Sequence, residues 1–212
     1  LPSETDVAIV GSGYSGLSAA LELGRAGTDV TVLEQHEIGW GASSRNGGML
    51  STEPKFASPS ALERRFGSEQ AARILEDGRA TFANLQEVVE REGIECYLQQ
   101  NGRFVGAHSP GAFKVLEQKA RELEQEGKTG FELLPRERVN EATESTYYYG
   151  GLRDEDGGCL HPALYHKGVL DACLRYGVRL CSRTRVEGIA HDGESFTVAT
   201  SRGVVRAREV VI

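Results

Sequence analysis

Two short apolar runs near the start of the chain flank a segment with helical periodicity. Residues 6–10 and 30–33 are almost wholly apolar, which is typical of strands buried on both faces. Between them, apolar positions recur at helical spacing over residues 14–25, and Gly27 follows as a plausible C-cap. The pattern predicts a strand–helix–strand unit with a parallel sheet and a right-handed crossover.

The middle of the chain mixes helical and strand-like patterns. Helical periodicity predicts helices over residues 60–66, 68–91 and 112–125, with a short helix after Pro135. Strands are predicted over residues 97–100, 103–107, 131–134 and 147–152. The first two strands flank Asn101-Gly102, a dipeptide favoured in two-residue turns, so a β-hairpin is expected there.

The last part of the chain returns to an α/β pattern. An amphipathic helix over residues 162–176 leads through Gly177 into a strand at 178–181. Further strands are predicted over residues 185–191, 195–200, 203–207 and 209–212. Because the sequence stops inside an apolar run, we expect the chain to be the N-terminal portion of a longer protein.

Glycines separate the first strand from the first helix in the pattern GxGxxG. Gly11 permits a tight turn, Gly13 lets the backbone approach a pyrophosphate, and Gly16 allows close packing of helix on strand. The helix N-terminus, with the amides of Ser12 and Ser15, supplies donors and a positive dipole end for phosphate. The motif thus predicts dinucleotide binding.

Glu34 ends the second strand, where a carboxylate can accept hydrogen bonds from an adenosine ribose. A negative charge at this position disfavours the 2′-phosphate of NADP. The glycine motif and this acid together do not distinguish FAD from NAD.

Residues 39–48 (GWGASSRNGG) are rich in small residues and donors. Ser43 and Ser44 can donate to phosphate, while Arg45 and Asn46 can place charge or donors near a flavin ring. A plain surface loop with Trp40 packed over its base is the alternative interpretation of this segment.

This segment resembles the GWGASGRNGG motif of the D-amino-acid-oxidase-like superfamily of FAD oxidoreductases, which includes glycine and sarcosine oxidases. Within it, the chain is most similar to the gamma-glutamylputrescine oxidoreductase branch, with Ser44 where many relatives carry glycine. Residues 157–162, followed by a helix, and residues 183–186 are also similar to the superfamily pattern.

The resemblance implies an α/β fold with a glutathione-reductase-type FAD-binding Rossmann sheet. Residues 1–57 and 157–212 would form two segments of that domain, incomplete at the C-terminus, and residues 58–156 an inserted α+β substrate domain. FAD is the implied cofactor. The cofactor-binding residues expected are Gly11, Ser12, Gly13, Tyr14, Ser15, Gly16, Glu34, Gln35, Ala42, Ser43, Arg45, Asn46, Gly47, Gly48 and Val186, the last at the adenine by resemblance.

The resemblance also implies oxidation of the C–N bond of a small-molecule amine or amino acid. The α-carbon would deliver a hydride to flavin N5, water would hydrolyse the imine, and oxygen would reoxidise the flavin with release of hydrogen peroxide. Two alternatives stay open: a dehydrogenase that passes electrons to a protein or quinone, and an FAD-binding portion inactive without its C-terminal half. An NAD dehydrogenase is less compatible with residues 39–48.

The sequence identifies no catalytic residue. His161, beside Pro162 at a helix start, is either catalytic or structural, with the structural role favoured. Residues 147–149, three tyrosines, either line a pocket or are half-buried strand residues, with the second role favoured.

Composition argues against several other classes of protein. A net charge of −7 argues against nucleic-acid binding, and the sequence has no run of about 18 apolar residues that could span a membrane. Four cysteines without CxxC spacing and the lack of a secretory signal pattern predict a cytoplasmic protein with reduced thiols. The five histidines have no metal-ligand spacing, so no metal site is expected.

Overall fold

The computed structural model describes residues 1–51, 59–125, 127, 129–155 and 157–212, excepting the side chain of Arg79. The chain divides into two compact units. Unit 1 comprises Leu1–Gly48, Glu87–Cys96 and His161–Ile212, and unit 2 comprises Met49–Gln86 and Tyr97–Leu160. The predicted domain boundaries fall on residues 57, 58 and 156, which lie outside the described residues, so these boundaries remain predictions.

The described residues form strands and helices in an order that follows the sequence pattern closely. The strands are β1 (Glu4–Val10), β2 (Val30–Leu33), β3 (Met49–Leu50), β4 (Arg103–Gly106), β5 (Phe131–Pro135), β6 (Gly150–Asp154), β7 (Gly158–Cys159), β8 (Arg179–Cys181), β9 (Val186–His191), β10 (Phe196–Thr200) and β11 (Gly203–Val211). The α-helices are α1 (Tyr14–Arg25), α2 (Pro59–Phe66), α3 (Ser68–Glu92), α4 (Pro110–Gln125) and α5 (Pro162–Arg175), with 3₁₀ turns at Ala42–Ser44 and Arg136–Glu141.

Unit 1 is built on a six-stranded sheet in the order β8-β2-β1-β11-β10-β9. The first four strands are parallel, and β11, β10 and β9 continue as an antiparallel meander. Ile9 and Val32 in the sheet and Leu17 and Leu21 on α1 are at most 2% exposed, and they form part of the core. Helix α1 ends at Arg25 as predicted, but its C-cap is Ala26; Gly27, the predicted C-cap, follows at a φ of +79° and donates to the Gly24 carbonyl.

The end of the chain differs from the prediction. Residues 203–207 and 209–212 were expected as separate strands, whereas β11 runs without interruption over Gly203–Val211. Its first part pairs with β10, from Gly203 with Thr200 to Ala207 with Phe196. Parallel pairing with β1 begins at Arg206, before the antiparallel pairing ends, so the strand changes partners without a break.

Unit 2 contains a three-stranded antiparallel sheet, β4-β6-β5, and a two-stranded sheet, β3-β7. The apolar side of α4 packs on the larger sheet, where Ala120, Leu123 and Leu152 are buried among partly buried apolar residues. Helix α2 and the first part of α3 also belong to this unit.

The predicted hairpin around Asn101-Gly102 is wrong. Strand β4 pairs instead with β6, from Arg103 opposite Asp154 to Gly106 opposite Gly151. Gln99, from the other arm, makes an isolated bridge to Cys159. Both segments of the expected hairpin therefore pair with residues distant in sequence. Pairing within a larger sheet satisfies more backbone hydrogen-bonding groups than an isolated two-stranded hairpin would.

The three consecutive tyrosines also differ from the prediction, because strand β6 begins only at Gly150. Tyr147 is 67% exposed, and Tyr148 packs edge-on against Phe104. The tyrosines thus belong to the loop that precedes the strand.

Within the described ranges, no helix is long and apolar enough to cross a membrane. No group of three or more histidine, cysteine or acidic side chains in the described part of the chain could hold a metal ion. None of the four cysteines, all of which lie in the described ranges, forms a disulfide bond.

Candidate cofactor-binding site

The glycine motif forms a tight turn at the carboxyl end of β1. Gly11 has a φ of +95°, and its amide donates to the Leu33 carbonyl at 2.9 Å. A Cβ on Gly16 would overlap the carbonyl oxygen of Gly11, so only glycine permits this packing of α1 on the turn.

The N-cap residue of α1 provides no side-chain cap. This residue is Gly13, which has no side chain to accept from the first-turn amides. Those amides, together with the positive end of the helix dipole, suit an anionic acceptor.

Ser43 supplies an oxygen at this helix end. Its Oγ accepts a hydrogen bond from the Tyr14 amide at 3.0 Å and lies 3.3 Å from where a Cβ on Gly13 would be. This serine lies in the 3₁₀ turn Ala42–Ser44, within the loop that follows β2. The Ser43 hydroxyl thus lies at the helix N-terminus, where its own hydrogen could be donated to a phosphate oxygen.

Two cavities meet at Gly13 and Ser43. The glycine cavity, of about 400 Å³, is lined by Ile9, Val10, Gly11, Gly13, Tyr14, Ser15, Gly16, Ser43, Val211 and Ile212. The carboxylate cavity, of about 290 Å³, is lined by Ser12, Gly13, Glu34, Gln35, His36, Gly39, Trp40, Gly41, Ser43 and His166. Because two residues line both cavities, an elongated ligand could extend from one cavity into the other across the helix N-terminus.

Glu34 lies in the carboxylate cavity with both carboxylate oxygens engaged. Oε2 accepts from the Ser12 amide at 2.9 Å and from the Ser12 hydroxyl at 2.7 Å, and Oε1 accepts from the His36 amide at 2.9 Å. Burial would raise the pKa of Glu34, but these hydrogen bonds outweigh it and hold the pKa below its ordinary value. An ionised carboxylate has about four acceptor sites, so capacity remains for a ribose hydroxyl.

The backbone of Glu34 is held by a distant segment. Its amide donates to the Cys181 carbonyl at 2.9 Å, and its carbonyl accepts from the Thr184 amide at 2.7 Å. This pairing extends the β2–β8 contact beyond the strands and fixes the direction in which Glu34 leaves the sheet. Sequence spacing offered no signal for it.

His166 is a member of the site that the sequence prediction missed. It is 3% exposed on α5, and its Nε2 lies 2.7 Å from the Ser12 carbonyl oxygen. The available signal was a histidine on the apolar side of a predicted helix, in register with Val169 and Cys173, where a polar ring needs a partner.

Arg45 and Asn46 contact the loop itself. The Arg45 guanidinium stacks over the Trp40 ring, 4.1 Å from its centroid. Asn46 donates to the carbonyls of Ala42 and Ser43 and accepts from the Gly48 amide at 2.8 Å. Their expected contacts with a flavin remain predictions, as do those of Ala42, Gly47 and Gly48, which line neither cavity.

Val186 also lies apart from both cavities. It packs against the buried cluster that contains Ala8, Leu33 and Val198. Its expected backbone contact with an adenine stays a prediction.

His161 is the N-cap of α5 in this structure. Its Nδ1 accepts from the Leu164 amide at 3.3 Å, and its own amide donates to the Cys96 carbonyl at 2.7 Å. These contacts favour the structural role considered for this histidine.

The residues present therefore fit a dinucleotide cofactor. The first-turn amides of α1, which receive no cap from Gly13, lie beside the Ser43 hydroxyl, and a carboxylate with a lowered pKa lies in the adjoining cavity. A pyrophosphate and a ribose need donors and an acceptor of these kinds.

Comparison with known proteins identifies the relatives of this chain. The DAO family model, described as FAD dependent oxidoreductase, matches residues 6–212. Gamma-glutamylputrescine oxidoreductase of Escherichia coli (strain K12) is 35% identical over 210 residues, covering 98% of this chain and 48% of that protein. The probable oxidoreductase OrdL of Haemophilus influenzae is 27% identical over 207 residues, covering 98% of this chain and 48% of that protein.

The fold has a close match among solved structures. Glycine oxidase from Geobacillus kaustophilus superposes with a TM-score of 0.80 at 24% sequence identity, covering 99% of this chain and 55% of that chain. This likeness confirms the predicted α/β fold class. The chain spans about half the length of these relatives.

Proposed function

The chain belongs to the DAO family of FAD-dependent oxidoreductases, and on this basis we propose that it binds FAD at the two joined cavities and contributes to oxidation of an amine or amino acid. The chain covers 48% of the length of gamma-glutamylputrescine oxidoreductase. The activity is therefore proposed for the whole natural protein that carries these residues.

One observation carries the proposal most directly. The first-turn amides of α1 have no side-chain cap from Gly13, and the Tyr14 amide instead donates to a hydroxyl oxygen from the loop at residues 39–48. A pyrophosphate bound here would accept from the helix N-terminus and receive a hydrogen bond from Ser43 Oγ.

The adjoining carboxylate cavity suits the adenosine side of the cofactor. Glu34 would accept from a ribose hydroxyl while retaining the hydrogen bonds from Ser12 and His36 that lower its pKa. Its negative charge disfavours a phosphorylated ribose, which matches FAD rather than a 2′-phosphorylated dinucleotide.

Bound FAD would supply the two-electron acceptor for a hydride from the substrate α-carbon. The contribution of this chain is binding and orientation. The Arg45 guanidinium and the Asn46 side chain, held on the same loop, would set charge and hydrogen bonding near the ring.

The substrate class is proposed from the relatives. The relatives include a gamma-glutamylputrescine oxidoreductase and a glycine oxidase, so amines and amino acids are the compounds to test. This chain is 35% identical to the gamma-glutamylputrescine oxidoreductase and 24% identical to the glycine oxidase. An amine with a methylene chain is therefore the preferred candidate.

The test uses the full natural chain, purified with FAD. Its visible spectrum is recorded under anaerobic conditions with gamma-glutamylputrescine, putrescine, sarcosine, glycine and proline, and peroxide release is then measured in air. Bleaching by one of these amines with peroxide formation would support an amine oxidase and identify its substrate class.

Two other results would be decisive. A protein that does not take up FAD would contradict the proposed site. Bleaching by an amine followed by slow reaction with oxygen would contradict the oxidase proposal and support a dehydrogenase that uses another electron acceptor.

A further inference from the structure

Ser12 is held from two sides by side chains that are distant in sequence. The His166 Nε2 lies 2.7 Å from the Ser12 carbonyl oxygen, and because a carbonyl only accepts, Nε2 must carry the hydrogen. On the other side, the Ser12 amide and hydroxyl donate to Glu34 at 2.9 and 2.7 Å. Both side chains lie in unit 1, and His166 is 3% exposed.

The hydrogen bond from His166 has a geometric consequence for the next residue. The Ser12 carbonyl and the Gly13 amide belong to one planar trans peptide, so they point in opposite directions. A donor that holds the carbonyl therefore also sets the direction of the Gly13 N–H. Gly13 has no side chain to resist rotation of this peptide, so an outside partner is needed to fix it.

We propose that His166 is a positioning residue for the cofactor. Its Nε2–H bond holds the Ser12–Gly13 peptide in the orientation in which the Gly13 amide is available to the pyrophosphate. The inference rests on the proposed function only in taking FAD as the ligand, and it does not depend on which substrate is oxidised.

The surroundings of His166 support this role over that of a packing residue. Its neighbours on the buried side of α5 are Val169, Ala172 and Cys173, where an apolar side chain would pack without needing a partner. The ring packs against Gly39, whose φ of +82° favours glycine; a Cβ there would lie in van der Waals contact with His166 Nδ1, at 3.4 Å. The imidazole thus lies between α5 and Gly39, with its hydrogen bond directed at the glycine turn.

Two amide variants separate positioning from packing. In His166→Gln the side-chain nitrogen can reach the position of Nε2 and donate to the Ser12 carbonyl. In His166→Asn the shorter side chain places its amide near the position of Nδ1, so the carbonyl loses its donor. Val169→Ala is the matched control, because it removes buried volume from the same side of α5.

The variants are compared in the full natural chain by titrating apoprotein with FAD and by following the Gly13 amide with ¹⁵N-resolved hydrogen exchange. We expect His166→Asn to weaken FAD binding about tenfold and to speed exchange of the Gly13 amide. His166→Gln should stay within about threefold of the wild type. Val169→Ala should lower the melting temperature and leave FAD affinity unchanged.

Unchanged FAD affinity in His166→Asn would overturn the inference. Equal losses in the Asn, Gln and Val169→Ala variants would also overturn it, because they would show a packing effect. A wild-type protein that binds FAD but oxidises no amine would contradict the proposed activity and leave this test intact. If the wild type bound no FAD, the proposed function would fail, and a Gly13 amide unaffected by His166→Asn would then overturn the inference separately.

Discussion

The backbone amide of Tyr14 donates a 3.0 Å hydrogen bond to Ser43 Oγ, which lies 29 positions later in the chain. The bond joins the helix that follows the glycine turn to the loop after the second strand. The Ser43 hydroxyl therefore lies at the helix N-terminus, and Ser43 is the first residue to test for pyrophosphate binding.

Ser43→Ala should weaken FAD binding by about 1 kcal/mol, because one hydrogen bond to the pyrophosphate would be lost. The matched control is Ser44→Ala, because the Ser44 hydroxyl donates to the carbonyls of Gly39 and Gly41 within the loop. FAD titration followed by flavin fluorescence measures both. Equal losses in the two variants would assign the effect to loop order and contradict a direct contact.

Gly16→Ala should abolish FAD uptake, because its Cβ would overlap the Gly11 carbonyl and displace the turn. Gly188→Ala is the control, since a Cβ there meets no atom within 4 Å. The flavin-to-protein absorbance ratio after gel filtration measures uptake, and circular dichroism checks that both variants fold. Normal flavin content in Gly16→Ala would contradict the role given to the turn.

Glu92 should contribute strongly to stability through a buried ion-pair network. Its side chain is 1% exposed and lies 2.5 Å from Arg25 and 2.7 Å from Arg175. Glu92→Gln should lower the free energy of unfolding by about 2 kcal/mol, because it removes the buried charge shared by Arg25 and half-exposed Arg175, while Arg25 keeps its ion pair with Glu22. Glu69 forms an exposed ion pair with Arg73, so Glu69→Gln should lower the free energy of unfolding by less than about 0.5 kcal/mol. Urea titration measures both variants.

The Glu92 contribution should also depend on pH. Burial would raise the pKa of Glu92, but hydrogen bonds and charge from Arg25 and Arg175 outweigh it and lower the pKa from its ordinary 4.5. A carboxylate with a lowered folded pKa stabilises the fold above its unfolded pKa, and this contribution disappears as pH falls through the folded value. The stability difference between wild type and Glu92→Gln should therefore shrink below about pH 4.5. A constant difference would contradict this account.

Trp40 should report cofactor binding. It is the only tryptophan in the sequence, is 52% exposed and lines the carboxylate cavity. FAD should quench its emission in proportion to occupancy, because indole emission overlaps flavin absorption. Arg45→Ala should change the emission of the apoprotein by removing the guanidinium over the ring. An emission that does not respond to saturating FAD would place the cofactor away from this cavity.

His161→Ala should act on stability and leave flavin reduction unchanged. Loss of the N-cap hydrogen bond to the Leu164 amide should cost about 1 kcal/mol. His161→Asn, which keeps a capping acceptor, should recover most of that loss. Stopped-flow flavin reduction of the full natural chain separates the roles, since a slowed hydride transfer in both variants would point to a catalytic histidine.

The local elements of unit 1 were predictable because each strand and helix carries its own signal. The apolar run at β1, the glycine turn and the periodicity of α1 agree, and α1 spans Tyr14–Arg25 as predicted. Glu34 and Ser43 could also be selected, because their side chains follow a strand and a glycine motif at useful positions.

Which strands pair with one another was decided by the tertiary structure. Asn101-Gly102 favours a local hairpin, yet β4 pairs with β6 about 50 positions later along the chain. Residues 203–212 look like two strands, but β11 remains continuous because β10 and β1 bind its two parts in succession. A strand pattern specifies which faces are apolar, and several partners satisfy that requirement equally well.

The glycine turn itself followed from the sequence, while the surroundings that orient it required the fold. The spacing of Gly11, Gly13 and Gly16 reports backbone conformation, which is a local property. The hydrogen bond from His166 to Ser12 joins residues 154 positions apart. No sequence pattern encodes such a contact, because its energy depends on the packing of α5 beside α1 and on the exclusion of water from the buried imidazole.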